Sequence, residues 1–199
     1  MTTTRTRSRA VFGVLTALAA LALTACGGDG PAHREAAAHG GAADGAHNAQ
    51  DVTFAQRMIP HHRQALEMAE LAAGRASSAR VKDLAVRIEK AQDPEIRTMA
   101  GWLKAWGEDV PMAGMDHSGH SGMTGMMDDA DMTALKKAEG TDFDTKFLTM
   151  MAEHHRGAVR MAATERSAGA YGPATALAGA VVTGQNAEIK EMNHLLGKG

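Results

Sequence analysis

Between residues 51 and 106, and again between 141 and 197, apolar side chains recur at three- and four-residue spacing. With His61 at the origin of a helical wheel, Phe54, Met58, Ala65 and Met68 fall within about 60° of it, and strict alternation is absent. Both regions are therefore expected to be helical. Gly74 and Ser77-Ser78 divide the first region into two helices, and Gly169, Gly172 and Pro173 divide the second. Asp93-Pro94 interrupts the second helix, as an Asp cap with Pro at the first helical position or as a kink; the uninterrupted Asn186-Ala187 at the equivalent place favours a kink. Between the regions, Pro111–Gly125 reads as loop. Asp131–Glu139 reads as a short amphipathic helix capped near Asp128 or Asp129, ahead of Gly140.

The two regions are copies of each other. A shift of 93 positions lays Phe54, Met58, His61, His62, Arg63, Ala65, Met68 and Ala69 on Phe147, Met151, His154, His155, Arg156, Ala158, Met161 and Ala162 without a gap. Further on, Leu84-Ala85 matches Leu177-Ala178, and Gln92, Glu95, Ile96 and Met99 match Gln185, Glu188, Ile189 and Met192. Two helical hairpins, each needing the other to bury its apolar stripe, predict an all-α four-helix bundle. Its repeats span 51–106 and 141–197, with a Met/His-rich connection at 111–127.

The N-terminus has a different organisation. Arg5, Arg7 and Arg9 precede an apolar run from Ala10 to Leu23, which ends in Leu23-Thr24-Ala25-Cys26. This pattern predicts a signal peptide over 1–25 and export; the tetrapeptide resembles a bacterial lipobox, which would make Cys26 a lipidation site and a membrane anchor. Residues 26–50 are Gly- and Ala-rich with no apolar period and are expected to form a tether, of roughly 27 Å r.m.s. length if flexible. His33, His39 and His47 fall in it as solvated residues.

Composition narrows the function. Lys+Arg number 21 and Asp+Glu 23, and removal of the three N-terminal arginines leaves a balance of −5, so nucleic acid is not an expected partner. A single cysteine excludes a disulfide framework, a thiolate zinc site and an iron–sulfur cluster. The 14 Met and 10 His outnumber the aromatic residues, and thioether with imidazole is the donor set that suits Cu(I).

Those donors are concentrated in two places. In each helical repeat a methionine lies one turn before a His-His pair and another two turns beyond, so Met58, His61, His62 and Met68 form one set and Met151, His154, His155 and Met161 the other. His61 can face the interior while His62 sits at the flank, and a pseudo-two-fold bundle could join the two sets or keep them as separate sites. Packing alone would have accepted Leu at most of these positions. Arg63 and Arg156 are expected to be solvated or paired with carboxylates. The second concentration is the connection, where Met112, Met115, His117, His120, Met123, Met126 and Met127 would make a looser secondary metal site. Its glycines, at 114, 119, 122 and 125, leave the backbone unrestrained, and ordering it would weaken binding. A di-iron oxidase is disfavoured: only Glu191-x-x-His194 has the required spacing, and its counterpart is Thr98-x-x-Gly101. No nucleophile, phosphate loop or paired-carboxylate motif stands out, so no enzyme is expected.

The doubled His-His-x-x-Ala-x-x-Met motif, with Gly140-Thr-Asp-Phe143-Asp144 leading into Phe147, resembles the exported bacterial family known as domain of unknown function 305, over about residues 50–197. The resemblance implies a ferritin-like four-helix bundle and copper binding or copper tolerance outside the cytoplasm. It places Met58, His61, His62, Met68, Met151, His154, His155 and Met161 at the motif positions. The resulting expectation is an exported, lipid-anchored protein that sequesters or passes on Cu(I), with copper ions, the membrane and an unidentified copper-transfer protein as partners. The rivals are a metal-free structural or interaction module and, more weakly, a redox-metal enzyme.

Overall fold

The computed structural model describes residues 45–112 and 124–198. Five helices occupy them: α1 (Ala49–Arg75), α2 (Ala79–Trp106), α3 (Asp129–Lys137), α4 (Gly140–Ala168) and α5 (Gly172–Leu195). The described residues contain no named strand, only one isolated bridge between Ala76 and Gly140. This is the all-α, two-hairpin bundle: α1 packs on α2, α4 packs on α5, and α1 against α4 joins the hairpins.

Helix ends follow the local chemistry. Asn48 caps α1 by accepting from the Gln50 and Asp51 N–H groups, while Asp51 accepts from the Asn48 N–H at 2.7 Å, a reciprocal capping box. Asp128 caps α3 through the Asp131 N–H at 2.8 Å, and α3 buries Met132 and Leu135 in the core. Helix α2 runs unbroken through Pro94, so Asp93 is no cap; its carboxylate pairs instead with Arg97 one turn on. Helix α1 likewise continues through Pro60. It also starts before the expected end of the tether, and His47 is not simply solvated, since its ring stacks on Trp106 at 4.4 Å.

Two aspartates lock the hairpins in reciprocal fashion. Asp51 of α1 accepts from the Ala170 and Tyr171 N–H groups at the turn between α4 and α5. Asp144 of α4 accepts from the Ser77 and Ser78 N–H groups and the Ser77 hydroxyl at the turn between α1 and α2. The start of each interior helix thus meets the end of the other, which makes α1 and α4 antiparallel and brings their midpoints, His61 and His154, to the same level.

The core divides at that level. One apolar cluster holds Met68, Leu84, Ile88, Leu135, Phe143, Phe147, Met151 and Met192. The other holds Phe54, Met58, Ile59, Met99, Leu103, Ala158 and Ala162. No helix among the described residues is long and apolar enough to cross a membrane.

Candidate metal centre

At the α1–α4 seam the His61 and His154 ring centroids are 3.7 Å apart, with the ring planes 37° from parallel. Both side chains are buried, and among the described residues none of their four ring nitrogens has a hydrogen-bond partner. Burial lowers the His61 pKa to about 3, reinforced by the neighbouring His62 and His155 and opposed by the Thr124 carbonyl. Burial likewise holds His154 well below the ordinary histidine value, reinforced by His61, His155 and His62. Both imidazoles are therefore neutral at pH 7, each with one nitrogen lone pair available for a metal. Leaving such polar atoms unpaired costs about 1–3 kcal/mol each, which marks the pair as retained for something other than packing.

The adjacent histidines, at the flank of the seam, are buried as well. His62 Nε2 bonds Glu95 of α2 at 2.7 Å, and His155 Nε2 bonds Glu188 of α5 at the same distance. The carboxylates reach partly to solvent, whereas Nδ1 of each ring is buried and unpartnered. A carboxylate only accepts, so Nε2–H is the donor, the arrangement by which carboxylates orient metal-binding histidines. Equivalent residues make both pairs. The repeat alignment contains Glu95 and Glu188, but nothing in it assigns them to the histidines; their common separation of 33 residues from His62 and His155 is the signal that could have done so.

The methionines distribute unevenly. Met58 and Met151, each one turn before its interior histidine, are fully buried and enter opposite apolar clusters, so they flank the imidazole pair from its two sides. Met68 is also fully buried, but it and Met161 stand two turns, about 10 Å, along the helix from their histidines. Met161 is half-buried in a groove with Gln50, Thr53, Phe54, Arg57 and Thr164. Met99 and Met192, paired by the repeat but not singled out as donors, are buried too, one in each cluster. Among the described residues no three His, Cys, Asp or Glu side chains converge on one point. Glu191 and Asp83 are both occupied by Arg87, and His194 is exposed, which removes the one Glu-x-x-His motif from the interior.

Of the connection, Met112 is 60% exposed and Met126 and Met127 are half-buried. Met115, His117, His120 and Met123 lie outside the described residues, as does Cys26. The two described ends converge on α1 beside the histidines. Arg63 donates to the Pro111 carbonyl at 2.6 Å and has no carboxylate partner among the described residues, and the Gln64 amide bonds the Met127 backbone. Arg156 pairs with Glu153. Gly125 is far from unrestrained, because its backbone lies directly on that of Gly157.

Residues 51–196 match the family described as domain of unknown function (DUF305). No curated protein matches. Among solved structures, a DUF305 protein from Streptomyces coelicolor is 33% identical with a TM-score of 0.68, covering 75% of this chain and 93% of that one. A DUF305 fragment from Deinococcus radiodurans is 31% identical with a TM-score of 0.68, covering 76% and 97%. CopM in its Cu(I)-bound form is 32% identical with a TM-score of 0.60, covering 73% and 94%, and its Cu(II)-bound form reaches 34% and 0.64. CopM has also been solved with silver.

Proposed function

This chain belongs to the DUF305 family, and from that membership we propose that it is an exported copper-binding protein that sequesters or hands over Cu(I). The observation that carries this reading is the His61–His154 pair: two neutral, fully buried imidazoles in contact, with all four nitrogens unpartnered. Met58 and Met151 supply thioether sulfur on either side, and no cysteine thiolate is available among the described residues. Soft thioethers with imidazole favour Cu(I) over Zn(II), Mg(II) or Ca(II). The copper-bound forms of CopM support the choice of ion.

In this reading His61 and His154 are the primary donors, joined by Met58 and Met151. His62 and His155 offer Nδ1 from rings held by Glu95 and Glu188. Met68 and Met161 complete the motif set further along the helices, and the methionines and histidines of the connection form a weaker second site. No residue is assigned a catalytic role. The description of one similar DUF305 structure as a secreted protein supports export. Cys26 would then carry the lipid that holds the protein at the outer face of the cell membrane.

Competition of the folded protein with a Cu(I) chelator tests the central claim. The wild type should take Cu(I) from the chelator and the His61→Ala/His154→Ala double variant should not, with helicity equal in both. Equal uptake by the two would refute it.

A further inference from the structure

Gln64 and Gly157 occupy equivalent positions of the two repeats, each three residues after the interior histidine. They differ in chemistry yet engage the same piece of chain. Gln64 Nε2 donates to the Met127 carbonyl at 2.8 Å, and its Oε1 accepts from the Met127 N–H at 2.8 Å, so one buried side chain satisfies both backbone groups of one residue. On the facing helix, a Cβ at Gly157 would stand 2.0 Å from the Thr124 carbonyl oxygen and 2.9 Å from the Gly125 Cα. A Cβ at Gly125, which has φ +90°, would stand 2.8 Å from the Gly157 Cα. Backbone rests on backbone here, an approach only glycine permits at both positions. Thr124–Met127 therefore crosses the α1–α4 seam at the level of the imidazole pair.

What holds this segment differs from what holds the rest of the surroundings. Long helices, fixed by the two apolar clusters, pack around His61 and His154. Thr124–Met127 is held by the paired Gln64 bonds, the glycine contact and the packing of one half-buried side chain, Met127, on the first cluster. Local opening draws on the least stable element, and an ion reaching fully buried imidazoles needs such an opening. Met126 and Met127 bring thioethers on the same segment.

From this juxtaposition we infer that Gln64 and Gly157 are positioning residues that seat Thr124–Met127 over the His61–His154 pair, and that unseating this segment sets the rate at which a metal ion enters and leaves. The inference rests on the metal-binding reading above. It separates rate from capacity, because neither residue supplies a ligand.

The test uses the full chain with Ag(I) as the soft probe and the variants Gly157→Ala and Gln64→Leu. Alanine at 157 raises helix propensity, so its effect falls on the segment rather than on α4. Three quantities are measured: amide hydrogen exchange at Thr124–Met127 without metal, Ag(I) stoichiometry, and the rate of Ag(I) transfer to excess chelator. Both variants should exchange these amides faster and release Ag(I) about tenfold faster or more, with stoichiometry and helicity unchanged. Unchanged exchange would show that the two residues do not seat the segment. Faster exchange with wild-type release would show that the segment does not control access. A wild type that binds no Ag(I) would defeat the metal-binding reading itself, whereas a loaded wild type whose variants release at its own rate defeats this inference alone.

Discussion

Glu165 of α4 packs its carboxyl group against that of Asp51 of α1, and both side chains are wholly buried. Burial, then the hydrogen bond to Asp51, raises the Glu165 pKa to about 7, against a lowering contribution from Gln50. Burial would raise Asp51 as well, but hydrogen bonds from Glu165 and from the Asn48, Tyr171 and Ala170 backbones outweigh it and leave Asp51 lowered. Burial and the neighbouring Asp51 therefore favour the protonated form of Glu165 up to about pH 7, beside a carboxyl that ionises more readily. The arrangement explains a difference between the repeats. Asp144 receives a hydroxyl from Ser77, but the counterpart of Ser77 is Ala170, which has none, and Asp51 instead has the buried Glu165 carboxyl beside it.

Because the folded Glu165 pKa lies above its ordinary 4.5, its contribution is complete below pH 4.5 and is lost as pH rises to about 7. Thermal melts of metal-free wild type and Glu165→Gln from pH 4 to 8 isolate it. The wild type should lose about 1–3 kcal/mol relative to the variant across this window. A constant difference between the two proteins would show that Glu165 does not carry the proton.

His61→Leu should separate stability from function. It removes two unpartnered nitrogens from the core, so the metal-free variant should be more stable by about 1–3 kcal/mol in urea, while Cu(I) affinity falls. A stabilised variant with undiminished copper binding would make His61 a packing residue only.

Glu95→Gln and Glu188→Gln keep the size of the side chains but remove the charge that orients His62 and His155. Cu(I) affinity should drop about 10-fold to 100-fold in each, with melting temperatures little changed. Nitrogen-15 spectra of the histidines supply a second readout, since both rings should lose their fixed Nε2–H tautomer. Unaltered affinity and unaltered tautomers would remove the carboxylates from the site.

Cys26→Ser should change location and leave copper affinity alone. Without a thiol to lipidate, the protein should be released or held back as uncleaved precursor in cell fractionation. A Ser variant that stays with membranes after normal signal cleavage would rule out lipidation as the anchor.

The helical period, the 93-residue repeat and the breakers at 77–78 and 169–173 were sufficient to read an all-α bundle of two hairpins, because these features act between residues close in the chain or identical in pattern. The cap of α3 near Asp128 was legible for the same reason. At Asp93-Pro94 the sequence left a cap and a kink both open, favouring the kink, and the unbroken α2, packed on α1, excludes the cap. The motif identified the histidines but left open whether the two sets would meet. That depended on the antiparallel crossing of α1 and α4, fixed by Asp51 and Asp144 reaching into each other's hairpin turns over more than 60 residues of chain. The crossing put His61 against His154, and the packing within each hairpin turned His62 and His155 to Glu95 and Glu188. Burial then made the interior imidazoles neutral, because desolvation depends on every atom packed around a ring and has no signature in sequence spacing.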